Sequence, residues 1–413
     1  MNPFEQSSKN KITYYSLKNL ALKSYDKYQT APYTKTRIIL LNGTEFESNW
    51  FYHQFARHCS NNDIRREIAE IRRSEQQQQK RIASLKPINE SILETTLSYE
   101  QLAVDLTAIL AKNEKDFAVK NQLDFALLED FDHLYRFTDL LYMDERESYK
   151  NLIGSYTEIM PGRPTVAEHR HPFDDIKKPI INYLADPLTK LHVNIITAAE
   201  QQTMNYYMNV GSFYKNQLGR TIYGEIAMIE EQHVSGYESL KDPNATWLEC
   251  ALMHEYTECY LYYSCYKDES DKYIKDIWLS HFEDELVHLK KISELLYKYE
   301  GKHYQEVLIN LDFPELLSFR ENKSYIRDVL KSIRLTAQKE NFIDINSLPK
   351  NNNFEKYQKS VVKNPLGAPS HKVIDKYIKK YGEDLRYETA PHPEKALRDK
   401  KRDNVKIGRV KGE

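Results

Sequence analysis

One interval organises this chain. Three times a carboxylate is followed 30 residues later by a second carboxylate with histidine three positions beyond it: Glu100 with Asp130 and His133, Glu200 with Glu230 and His233, Glu255 with Glu285 and His288. In an antiparallel helical hairpin, residues equally distant from the turn lie at the same height, so each interval predicts a turn at its midpoint. The midpoints fall in AKNEKDF, YKNQLGR and CYKDESDK, which have the polar composition of turns. Arms of about 15 residues span roughly 22 Å at 1.5 Å per residue, which sets the carboxylates midway along a helical bundle. Carboxylate and histidine at i and i+3 project from one helix face.

Glycine usage agrees with an all-α fold. Only 12 of 413 residues are glycine, and none lies between Gly43 and Gly154; the usual share is about 7%. Turn-dense sandwiches and propellers cannot be built from such a stretch, whereas helices can. Gly224 and Gly236 stand six residues on either side of Glu230. Glycine inside a helix costs up to about 1 kcal/mol relative to alanine, so the pair predicts close helix approach there.

With 59 basic and 61 acidic residues the formal net charge is −2, and nothing global attracts nucleic acid or an anionic membrane. No run of about 18 apolar residues occurs. Cys59, Cys250, Cys259 and Cys265 show no C-x-x-C spacing, which points to a reducing compartment. A cytoplasmic protein with neither nucleic-acid nor membrane partner is expected.

Three parts are expected along the chain. Residues 1–89 read as an N-terminal extension, with a short strand at Thr36–Gly43 ending in an Asn-Gly turn and one long helix from about Glu47 to Leu85. Residues 90–312 read as a bundle of three helical hairpins. Residues 313–413 read as a helix at Tyr325–Lys339 and an extended arm, closing on a basic tail at Glu394–Glu413. Prolines 161, 164, 172, 179 and 187 mark a long irregular connection between the first two hairpins, and only Lys241–Thr246 separates the second from the third.

A glutamate from each of two helices plus Glu-x-x-His from each of two others is the inward-projecting ligand set of di-iron and di-manganese bundles. Oxygen-rich ligands with one imidazole per metal suit iron or manganese. Glu258, three residues after Glu255, offers a further carboxylate. From about residue 95 to 300 the chain resembles the ferritin-like superfamily of di-metal carboxylate proteins, and Glu255-x-x-Glu258 followed by Glu285-x-x-His288 is similar to the second half of rubrerythrin. The resemblance implies that Glu200, Glu230, Glu255, Glu258 and Glu285 are ligating carboxylates and that His233 and His288 are terminal imidazoles. Glu100, Asp130 and His133 complete the candidate set. The cysteine-rich rubredoxin domain of rubrerythrins has no counterpart here.

Three assemblies satisfy these residues. The first and second hairpins have the long crossover that ferritin-like bundles use, but carry Asp130 in place of glutamate. The second and third have the fuller ligand set and too short a loop. Alternatively, three hairpins make one and a half sites, and a homodimer or other homo-oligomer completes the remainder. The chemistry implied is that of two iron ions, or manganese, with dioxygen or hydrogen peroxide, as a peroxidase, ferroxidase or oxygenase. The competing reading is a metal-free helical scaffold.

The neighbours of the ligand stripe have plainer readings. Glu129, Glu231, Glu283 and Asp284 point away at i±1, as surface or outer groups; His281 is an outer partner or a solvated residue, and His254 faces elsewhere. Arg163, Glu168, His169 and His171 cap the bundle or hold a separate metal. Tyr206, Tyr207, Tyr237, Tyr256, Tyr260, Tyr262 and Tyr263 are read as core filling.

Overall fold

Short polar side chains head most of the long helices and fix where these begin. The computed structural model describes residues 1–157, 159, 162–330 and 335–382. The basic tail expected at Glu394–Glu413 lies outside the described residues. The regular structure described is predominantly helical. It comprises α1 (Pro32–His58), α2 (Asn62–Ala83), α3 (Ile92–Asn113), α4 (Phe117–Glu145), α5 (Tyr149–Ile153), α6 (Pro187–Val210), α7 (Gln217–Glu238), α8 (Trp247–Asp268) and α9 (Lys272–Glu300). Beyond these lie α10 (Tyr304–Val307), α11 (Lys323–Leu330), β1 (Leu335–Gln338), β2 (Asn341–Asp344), α12 (Asn353–Val362) and α13 (Pro369–Tyr381).

Asn61, Asp116, Asn216 and Asp271 each accept a backbone N–H of the helix that follows, the preferred N-cap chemistry. Ser91 and Thr246 form capping boxes with Glu94 and Glu249. Two of the tight turns are built alike. Glu114 Oε1 accepts from the N–H groups of Lys115 and Asp116, both at 2.7 Å. Glu269 Oε1 accepts from Ser270 at 2.8 Å and Asp271 at 3.0 Å.

The chain folds into two compact units, each assembled from separate stretches of sequence. The first contains Met1–Glu90, Pro179–Gln202 and Lys241–Phe319; the second contains Ser91–Lys178, Thr203–Leu240 and the chain from Arg320. In the first unit α1 packs on α2 and α8 on α9, while α1 also meets α8 and α2 meets α9, so two antiparallel hairpins lie against one another. Leu40, Ile68, Ile71, Leu252, Leu261, Trp278 and Leu289 fill its interior. In the second unit α4 packs against α3, α7 and α13 around Leu97, Val104, Phe131, Leu134, Phe137, Ile222 and Ile226.

Within the N-terminal residues two expected elements are corrected. Thr36–Gly43 lies inside α1, and the expected helix from Glu47 to Leu85 is broken between His58 and Asn62. A β-branched, apolar run resembles a strand locally, but α1 buries almost all of it, and tertiary packing overrides strand propensity. Gly43 is no turn: a Cβ there would come within 2.6 Å of Gln202 Nε2, whose amide donates to the Ile39 carbonyl at 2.8 Å. Of the helix expected at Tyr325–Lys339, the part to Leu330 belongs to α11, whereas Leu335–Gln338 is a strand that pairs antiparallel with Asn341–Asp344. The arm is also more regular than expected, since α13 packs on α4 and α7.

Close approach around α7 is confined to one of the two glycines named for it. A Cβ at Gly236 would lie 2.6 Å from Gln122 Nε2 of α4, whereas Gly224 has nothing within 4 Å. The tightest approach to another segment's backbone is in the irregular connection. A Cβ at Gly162 would sit 2.0 Å from the Leu128 carbonyl oxygen, to which the Arg163 N–H donates at 2.9 Å. Backbone cannot yield as a flexible side chain can, so Gly162→Ala is expected to destabilise the protein by about 2 kcal/mol or more. An unchanged denaturant midpoint would contradict this contact.

Candidate metal centre

In the first unit the four packed helices each turn carboxylates inward. α1 supplies Glu45, α2 Glu75 and Gln78, α8 Glu255 and Glu258, and α9 Glu285 and His288; none of the seven side chains has exposed surface. The turns between α1 and α2 and between α8 and α9 lie midway between the paired carboxylates, so Glu45 stands level with Glu75 and Glu255 with Glu285.

Ligand atoms of Glu75, Glu255, Glu285 and His288 all lie within 4.8 Å of one another, and those of Glu45, Glu75 and Glu258 form a second such group. Glu75 belongs to both. His288 Nδ1 lies 2.6 Å from Glu75, 3.0 Å from Glu285 and 3.8 Å from Glu255. Both oxygens of Glu258, both amide atoms of Gln78, Glu285 Oε1 and His288 Nε2 have no hydrogen-bond partner. Buried polar atoms are ordinarily satisfied, so so many orphans at one place fit a bound cation. These clusters could hold metal.

Two tyrosines hold the outer carboxylates. Tyr52 donates to Glu255 and Tyr262 to Glu45, so each hairpin steadies a carboxylate of the other. Both tyrosines stand seven residues, two helical turns, after a carboxylate of their own helix. Behind Tyr262 lies His281, with Nδ1 3.3 Å from the phenol. Arg81 Nε donates to His281 Nε2 at 3.2 Å. Because arginine only donates, the imidazole proton sits on Nδ1, and Tyr262 is left to donate to Glu45. Burial and the Arg81 charge push His281 down to about 3.

Burial, followed by the neighbouring carboxylates, raises Glu258, and the same two causes lead for Glu45 and Glu255. Burial and Glu75 push Glu285 up to about 8. Burial works against a charged His288, but Glu285 and Glu75 raise it well above the ordinary imidazole range. Glu75 runs the other way: burial opposes its charge, and His288 holds it down.

The remaining candidates, Glu200 excepted, lie in the second unit. Glu100 on α3, Asp130 and His133 on α4, and Glu230 and His233 on α7 are fully buried. Glu230 is grouped with Glu100 and His133, and also with Asp130 and His233. Tyr207 donates to Glu100 at 2.5 Å. Glu200 is buried in α6, in the stretch that belongs to the first unit.

The sequence reading missed Glu45, Glu75, Gln78 and Tyr52. The signal was present, since Glu45 and Glu75 are again 30 residues apart with Gln78 at the histidine position. Taking α1 in part as a strand hid it. Pro32–Ala83 thus forms a further hairpin with carboxylates at this interval, in addition to the three expected.

Of the outer residues, Glu129 and Asp284 are buried, whereas Glu231 and Glu283 are exposed. Asp284 accepts from Lys9, Thr13 and Tyr15 at 2.6–2.7 Å. His281, read as an outer partner or solvated, is buried. His254 Nδ1 lies 3.1 Å from Glu47. Among the described residues, Arg163, Glu168, His169 and His171 form no metal-capable group; Arg163 pairs with Glu168 at 3.2 Å. Tyr256 and Tyr260 donate to the carbonyls of Asp312 and Glu315, so several tyrosines use their polar end as well as their bulk. No helix among the described residues is long and apolar enough to cross a membrane. The sequence matches no protein-family model, and the chain matches no curated protein and no solved structure.

Most of these groups bind more protons folded than unfolded, because the raised carboxylates and His288 keep protons that the unfolded chain releases. Without metal, stability is therefore expected to fall as pH rises from about 5 to 8. Bound divalent metal keeps the carboxylates ionised in the folded state. It should raise the melting temperature at pH 7.5 and flatten that slope; equal melting curves with and without Mn(II) count against the centre.

Proposed function

We propose that this chain is a ferritin-like di-metal protein whose first unit holds a pair of iron ions, or manganese, for redox chemistry with dioxygen or hydrogen peroxide. The observation that carries this reading is the position of Glu75 in both ligand groups: one carboxylate lies within reach of both and would be available to two ions. His288 would cap one place with Glu255 and Glu285, and Glu45 and Glu258 would line the other. Five carboxylates against a single imidazole form the oxygen-rich set that suits iron or manganese. Bound there, an iron pair supplies the electrons that reduce dioxygen or peroxide.

The rest is the work of the protein's own side chains. Tyr52 and Tyr262 fix one oxygen each of Glu255 and Glu45, while Glu258 and Gln78, free of hydrogen bonds, can shift as charge at the site changes. The interior around Trp278, Leu252 and Leu289 keeps bulk water from the carboxylates, which strengthens every charge interaction among them. The long stretch of chain between α2 and α8 meets the need of such bundles for a long connection between hairpins.

The test is metal content. After anaerobic loading with Fe(II), Glu75→Ala and Glu285→Ala should each retain about two fewer metal ions per chain than the unmodified protein. Mixing the ferrous protein with dioxygen or peroxide should produce an absorbance change in the unmodified protein that these variants lose. A chain that takes up no metal under these conditions is a helical scaffold, and the proposal fails.

A further inference from the structure

We infer that the second unit is a metal site in its own right, richer in imidazole than the first and loaded independently of it. His133 and His233 come from facing helices, α4 and α7, with ring centroids 6.3 Å apart. The two oxygens of Glu230 divide between them: Oε1 is 3.0 Å from His133 Nδ1 and Oε2 is 3.3 Å from His233 Nδ1. Glu230 therefore stands between two imidazoles and, like Glu75, belongs to two ligand groups.

The outer contacts decide which nitrogen of His233 faces inward. Its Nε2 lies 2.5 Å from Glu129 Oε2, and Arg170 donates to the other oxygen of Glu129 at 2.7 Å. Arg170 is itself steadied by Asp175 at 3.0 Å. A carboxylate bound to a guanidinium accepts, so the Nε2 proton of His233 belongs to the bond with Glu129. The Nδ1 lone pair then faces Asp130 Oδ1 and Glu230 Oε2, each at 3.3 Å. Lone pairs meeting in a dry interior repel, and a cation among them turns that repulsion into ligation. The metal-free alternative is a doubly protonated imidazole. Neither oxygen of Asp130 nor His133 Nε2, all without exposed surface, has a hydrogen-bond partner.

A carboxylate on the far nitrogen of a histidine fixes its tautomer and makes it a stronger ligand. The first unit lacks this device, since His288 Nε2 is unbonded. Two imidazoles, one of them so oriented, suit metals later in the first transition row than the carboxylate-rich first unit does. The chemical class of ligand is thus a divalent first-row cation such as Co(II) or Zn(II), with Asp130, Glu230 and His233 as one group that would hold it and Glu100, His133 and Glu230 as the other.

The experiment uses the full chain, stripped by chelator and titrated with Co(II), with metal counted and visible absorbance followed. The Glu75→Ala/Glu285→Ala chain, disabled in the first unit, is expected to keep its Co(II) sites in the second. Adding His133→Gln and His233→Gln should abolish them while helical circular dichroism stays unchanged. Glu129→Gln in the same background should keep the metal count and weaken affinity about 10- to 100-fold. If the chain disabled in the first unit binds no Co(II), the imidazole is merely protonated and the inference is overturned. Retained binding after loss of both histidines overturns it equally, and unchanged affinity in Glu129→Gln removes the role given to that residue. Should the unmodified chain bind no more metal than the Glu75→Ala/Glu285→Ala chain, the first-unit proposal fails while this one stands.

Discussion

Carboxylates packed side by side in an apolar interior are the constraint to which the rest of this molecule answers. Removing even one such charge from water costs several kcal/mol. The first unit nevertheless brings Glu45, Glu75, Glu255, Glu258 and Glu285 together without exposed surface. Protons, one imidazolium at His288 and two tyrosine hydroxyls offset part of that repulsion. Divalent cations would offset more, which is why stability, protonation and metal binding are one problem here.

Helical hairpins act as rulers for placing those charges. A residue added to either arm would move a carboxylate by 1.5 Å along the axis and about 100° around it, off the common stripe. The N-caps at Asn61, Asp116 and Asp271 therefore set more than helix ends. By fixing where each second arm starts, they hold its carboxylate level with that of the first.

The two units carry the same ruler with different surroundings. In the first, the paired hairpins steady one another through Tyr52 and Tyr262, and the outer contacts of Tyr262 run through His281 to Arg81. In the second, the irregular connection does that work: Gly162 brings it against α4, and Arg170 from the same segment reaches Glu129 behind His233. A segment that looks like a mere linker in composition thus orients an inner imidazole.

Much of this was legible in the chain itself. Spacing and capping chemistry are local, so the 30-residue intervals, the turns at their midpoints and the stripes Glu285-x-x-His288 and Glu230-x-x-His233 could be read directly. Glu45 and Glu75 obey the same interval but were hidden by an apolar, β-branched run whose local preference is for a strand, and only packing in α1 overrides it. Which hairpin faces which could not be read, because that depends on apolar surfaces distant in sequence: Glu255 and Glu285 lie with Glu45 and Glu75, across the whole intervening chain. The sequence by itself determined the height and face of each carboxylate, since these follow from helix geometry. Tertiary structure alone decided their partners and their outer contacts, because burial and hydrogen bonding are settled between elements rather than within them.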